Sequence, residues 1–133
     1  MSTTAQYAST PKIGTTLLTT ANTALDGSGT LGTVFSTGAA GSRIEQIDVQ
    51  GTATTTAAEV NLFIYNGTTA FLWKQIPLTA VTSSTTTPAF TYTISSQTAK
   101  DILPLVLPIG YSLKAAVSVT QTGVNVIAVG GDF

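Results

Sequence analysis

From Tyr111 to Thr120 the sequence alternates without a break: Tyr111, Leu113, Ala115, Val117 and Val119 on one parity, Ser112, Lys114, Ala116, Ser118 and Thr120 on the other. A period of two sends successive side chains to opposite faces of a strand, the pattern of a half-buried sheet. The period recurs where Phe90, Tyr92 and Ile94 alternate with Thr91, Thr93 and Ser95, and where Ile47 and Val49 alternate with Gln46, Asp48 and Gln50. No segment combines a helical period with a cap. Turn clusters fall at Asp26-Gly27-Ser28-Gly29, Gly38-Ala39-Ala40-Gly41, Asn66-Gly67, Pro108-Ile109-Gly110 and Thr122-Gly123. Short strands separated by such turns predict an all-β fold, an antiparallel β-sandwich, with a jelly roll ahead of an immunoglobulin-like Greek key. Residues 1–12 are polar and aperiodic and read as an extended N-terminal arm; residues 13–133 read as a single β-sandwich domain. Ile102–Pro108 is apolar, but its two prolines argue against a central strand.

Composition narrows the chemistry. Of 133 residues 27 are threonine, while charged residues make up 8% and the net charge is −1. Thr is β-branched and suits a strand face, and its hydroxyl hydrates that face without adding charge. The chain has no His and no Cys, so His relays, thiol catalysis, His or thiolate metal sites and disulfides are excluded. No basic stripe is present, which argues against nucleic acid as a partner. The N-terminus lacks a charged and then apolar secretory pattern, and no apolar run reaches membrane-spanning length, so neither a signal nor a membrane segment is expected.

The densest local signal is the stretch Glu59–Lys74. Asn66-Gly67 between two apolar runs predicts a hairpin. A loop of two or four residues places Val60, Leu62, Ile64, Phe71 and Trp73 on one face, and Phe63, Tyr65, Leu72 and Ile76 on the other beside Lys74. Both faces are partly apolar, so one is expected to meet the core and the other a partner.

No catalytic, metal or cofactor site is expected. Glu45 and Asp48 are three apart on one strand, and strict alternation sends them to opposite faces, away from the convergence a carboxylate pair needs. Asp26-Gly27-Ser28-Gly29 lacks the alternating ligands and terminal Glu of an EF-hand and reads as a turn. Phe63, Tyr65, Phe71 and Trp73 read as core and interface ahead of a sugar platform. Arg43 and Glu45, two apart, are placed to form an ion pair or to meet a neighbour's charges. The candidate contact residues are Thr10, Pro11 and Lys12 in the arm, with Arg43, Glu45, Phe63 and Tyr65.

A run of turn and strand motifs carries a resemblance. It starts with Ala21-Asn22-Thr23-Ala24-Leu25-Asp26-Gly27, Val34-Phe35 and Gly41-Ser42-Arg43-Ile44. It continues through Val60–Tyr65, Asn66-Gly67-Thr68, Leu72-Trp73-Lys74-Gln75-Ile76-Pro77, Pro108-Ile109-Gly110-Tyr111-Ser112-Leu113 and the ending Gly130-Gly131-Asp132-Phe133. Over roughly residues 17–133 the chain resembles small virion proteins of tailed bacteriophages, of the capsid decoration (cement) type. The resemblance implies a β-sandwich subunit, assembly as a small homo-oligomer and attachment to a shell or tail surface, with the major capsid protein of the same phage as partner; the uncharged, apolar-tinged β surface itself predicts symmetric self-association, trimer first and dimer second. The resemblance also implies a protein made in the host bacterial cytoplasm and located on the head surface. A tail, neck or head-fibre part and a carbohydrate-binding adhesion module are the alternatives.

Overall fold

The computed structural model describes residues 10–97 and 103–133. Among them there is no helix. Nine strands follow in order: β1 (Thr10–Leu18), β2 (Gly32–Ser36), β3 (Ser42–Gly51), β4 (Ala58–Tyr65), β5 (Ala70–Leu78), β6 (Thr91–Ser95), β7 (Leu105–Leu107), β8 (Ser112–Val117) and β9 (Val124–Asp132). They form an antiparallel β-sandwich. The first sheet runs β1-β9-β3-β6, with β7 also paired to β3, and the second runs β2-β8-β4-β5. The pairing is nested: β4 with β5, β3 with β6, β2 with β8 and β1 with β9.

The core lies between the sheets. Ile47, Val49, Val126 and Ala128 from one sheet meet Val60, Leu62, Leu113 and Val117 from the other, all fully buried. Burial of such side chains contributes about 1.5–3 kcal/mol each for the larger ones. At one end the core closes on polar stitching. The Gln121 side chain pairs with both backbone groups of Thr56, at 3.0 and 2.9 Å, and the Thr55 hydroxyl donates to the Thr79 carbonyl at 2.8 Å. The Thr-rich run 52–58 is thus partly drawn in, with Thr55 buried.

Two bulges correct the face assignments made from strict alternation. In the β4–β5 hairpin Leu62 pairs with Lys74 and Phe63 with Leu72, leaving Trp73 as the extra residue. The parity of β5 flips there. Ile76, expected opposite the core, is buried in it with Leu78, while Phe71, before the bulge, keeps its expected place across from Ile64 and is exposed near the hairpin tip. The tip is a four-residue loop in which Gly67 alone takes a positive φ, and the Asn66 carboxamide accepts from the amides of Thr68 and Thr69. In β3 the register with β9 slips between Ile44 and Gln46. Ile44 and Ile47, three apart, therefore both enter the core. The slip removes the parity argument that separated Glu45 from Asp48: Arg43, Gln46 and Asp48 turn outward, and Glu45 is tied to Arg43.

The strand β1 starts before Ile13. Thr10, Pro11 and Lys12, read from sequence as the end of the arm, pair with Asp132, Gly131 and Gly130 of β9 and are strand. The rest of the arm, residues 1–9, lies outside the described residues.

Candidate functional site

Both sheets carry apolar side chains on their outward faces. On the second sheet these are Phe63, Ala116, Ala70, Leu72 and Tyr65. The segment Asn22–Leu31 crosses this face and covers it. It departs from β8, where the Asn22 amide donates to the Val117 carbonyl at 2.8 Å, and reaches β5, where Gly27 lies so close to the Ala70 carbonyl that a Cβ would overlap it. Two side chains lace the segment. The Asn22 carboxamide donates to the carbonyls of Ser28 and Thr30, each at 3.0 Å, and accepts from the Ala24 amide at 3.1 Å. Asp26 accepts from the Ser28 amide at 3.0 Å and its hydroxyl at 2.6 Å, and these bonds, hydroxyl first, hold its carboxyl below the usual carboxylate range.

The consequence for the predicted contact residues is direct. Phe63 has no exposed surface and is covered by its own chain, so it offers nothing to a partner; that expectation is corrected. Tyr65 stays partly exposed beside a hollow of about 520 Å³ lined by Asp26, Thr30, Leu31, Thr69 and Lys114. The Lys114 ammonium sits 4.4 Å from the centroid of the Tyr65 ring and occupies one of its faces, and the phenol hydroxyl donates to the Gly67 carbonyl at 3.0 Å.

On the first sheet the outward face is uncovered by any described element. Register sets its side chains in rows: Ile13, Val129, Gln46, Ser95; Thr15, Ile127, Asp48, Thr93; Leu17, Asn125, Gln50, Thr91. The β3–β6 half is polar, with Asp48 accepting from Thr93 at 2.7 Å and from Gln46 at 2.9 Å. The β1–β9 half is apolar, with Ile13 65% and Leu17 57% exposed. Pro11, Arg43 and Val106 lie along the neighbouring row, where Val106 is also exposed.

The charges expected to meet a partner are engaged within the chain. Lys12 turns inward between the sheets, above the Phe35 ring, and donates to the Ser36 carbonyl of the second sheet and to Asp132 of the first, the latter at 3.3 Å. Ser42 donates to the same Asp132 carboxylate. That bond first, and Lys12 after it, keep Asp132 below the usual carboxylate range. Arg43 and Glu45 form an ion pair on the outward face, each side chain about a quarter exposed (23% and 24%). Thr10 and Pro11 remain exposed.

Sequence reading missed the cover over the second sheet. Its signal was present in Asn22 and Asp26, whose side chains bond readily to nearby backbone, and in Leu31, which packs against the Phe63 cluster. Among the described residues no group of three or more acidic side chains is placed to hold a metal ion, and no helix is long and apolar enough to cross a membrane. A scan against protein-family models, a search of curated proteins and a search of solved structures each return no match to the chain.

Proposed function

We propose that this protein is a non-enzymatic structural subunit of a tailed-phage particle, a capsid decoration (cement) protein that binds the outside of the head and holds neighbouring major capsid subunits together. The reading starts from the sequence resemblance over residues 17–133. The observation that carries it is the division of the surface: ionised side chains such as Lys12, Asp132, Arg43 and Glu45 are engaged within the chain, while the outward face of the first sheet offers hydroxyls and, along β1 and β9, bare apolar side chains. Such a face suits adhesion to another protein through apolar contact and hydrogen bonding. The nested pairing of β1 with β9, β2 with β8, β3 with β6 and β4 with β5 supports it further. We read that winding as a jelly roll to which β7 is added, an architecture shared by many viral shell proteins.

A subunit of this kind stabilises a shell by binding the assembled form alone, through mass action. With few charges free to steer it, its attachment is weakly sensitive to salt. The test is to add the purified full-length chain to heads stripped of it and count bound copies. Decoration gives hundreds of copies per head and greater heat resistance of the shell. A handful of copies points to a tail, neck or fibre part, and no binding to heads overturns the reading. Binding to glycans through the Tyr65 hollow favours the adhesion alternative.

A further inference from the structure

Among the described residues five strands have a neighbour on one side only, and four of them are blunted, β7 by being three residues long. β2 has a bulge between Thr33 and Phe35 and is overlain by β1: Gly14 sits so close to the Val34 carbonyl that a Cβ there would overlap it. β5 has the bulge at Trp73, with Lys74 and Pro77 on its length. β6 is five residues long. β1 is different. It runs nine residues in unbroken register with β9, and among the described residues it pairs with no other strand. Its outward side chains, Pro11, Ile13, Thr15 and Leu17, carry no charge, and its single charge, Lys12, is turned inward and paired. Edge strands are ordinarily protected by charge, proline or a bulge, because a free row of backbone donors and acceptors is a template for another strand. In β1 the protection is Pro11 alone, at one extremity.

We propose that β1 is the seam of a two-fold homodimer, in which it pairs antiparallel with β1 of a second copy and continues the first sheet across the axis. The second copy is favoured over a foreign strand because β1 complements itself. A two-fold axis through Thr15 sets Ile13 of each copy against Leu17 of the other on the outward face, and the two most exposed apolar side chains of the strand cover one another. The same axis sets every outward charge near its own kind, and β1 has none to repel. On the inward face Lys12, already held by Asp132 and Ser36, lies across from Leu18. The sequence ranks a trimer ahead of a dimer; this edge reverses that order. The proposal is independent of whether the protein decorates a shell.

The chain's lack of Cys makes the test clean. Light scattering on the full-length protein at micromolar concentration gives twice the 13.6 kDa chain mass. Thr15→Cys, with both thiols at the axis, crosslinks to a covalent dimer under mild oxidation, whereas Thr91→Cys on the opposite edge of the same sheet does not. Thr15→Lys places two ammonium groups together and weakens the dimer by about tenfold or more. Thr15→Glu does likewise, and mixing the two variants restores the dimer. Circular dichroism verifies that each remains folded; if a charged variant does not, the cysteine pair, a smaller change, decides. A monomeric or trimeric mass for the unaltered chain, equal crosslinking at positions 15 and 91, or a dimer indifferent to Thr15→Lys overturns the proposal.

Discussion

The second sheet and the first both turn apolar side chains away from the shared core, and the chain covers only one of the two faces. Over Phe63, Ala116 and Leu72 lies the segment Asn22–Leu31, fastened by its own Asn and Asp side chains. Over Ile13, Leu17 and Val106 no described element lies. From sequence the second face and the β1–β9 half of the first look alike, since each sets apolar residues on the parity opposite the core. The contrast teaches that an outward apolar parity marks a face needing cover without saying who supplies it. On the second sheet the cover is local in sequence and costs a ten-residue excursion between β1 and β2. On the first, the neutral β1 edge and its neighbours are left for another chain.

The largest expected effect tests whether Phe63 belongs to a sealed face. Phe63→Ala removes a fully buried ring and is expected to cost about 3–5 kcal/mol in denaturant unfolding. A cost below about 1 kcal/mol means that the cover is loose and that the two faces are alike after all. The cover itself comes next. Asn22→Ala removes the bonds to Ser28, Thr30 and Ala24, and is expected to cost about 1–3 kcal/mol while raising the binding of an apolar dye at the uncovered Phe63 cluster. Unchanged dye binding means the segment stays in place without its pin.

A smaller effect sharpens the comparison at the end where the sheets are tied. Asp132 is held below the ordinary carboxylate range by Ser42 and then Lys12. A carboxyl that is more acidic folded than unfolded adds stability above its unfolded pKa, and that contribution is lost as pH falls through the folded value. Stability is therefore expected to be level above about pH 5 and to drop below about pH 4. Asp132→Asn is expected to reduce that acid loss, as measured by thermal melts across pH; an identical acid limb contradicts the tie. The smallest effect belongs to the bare face: Val106→Ala, at a side chain 55% exposed, is expected to change stability by no more than about 0.5 kcal/mol. A larger loss implies packing that the face does not show.

Much of the fold was legible because alternation is a local property. Ser112–Val117 lies where period two places it, and two paired arms flank Asn66-Gly67 as expected. What alternation does not carry is a bulge. Trp73 and Glu45 each add one residue to one strand, and everything beyond is displaced by one parity, which moved Ile76 into the core and undid the separation of Glu45 from Asp48. Tertiary cover is equally hidden: Phe63 read as a contact because the segment that buries it lies more than thirty residues earlier in the chain. Lys12 read as part of an arm because its partners, Asp132 and Ser36, meet it only once both sheets have formed.

Amide hydrogen exchange at two protein concentrations separates the outward face that the chain seals itself from the β1 edge that it leaves for a second copy. Exchange reports local opening and the capture of free donors alike. The β1 amides between Ile13 and Leu17 that do not bond to β9 are expected to gain protection as concentration rises through the dimerisation range. Amides of Asn22–Leu31 and of β5 hold the same protection throughout. Concentration-independent exchange along β1, or a gain of protection in the Asn22–Leu31 segment instead, contradicts that division.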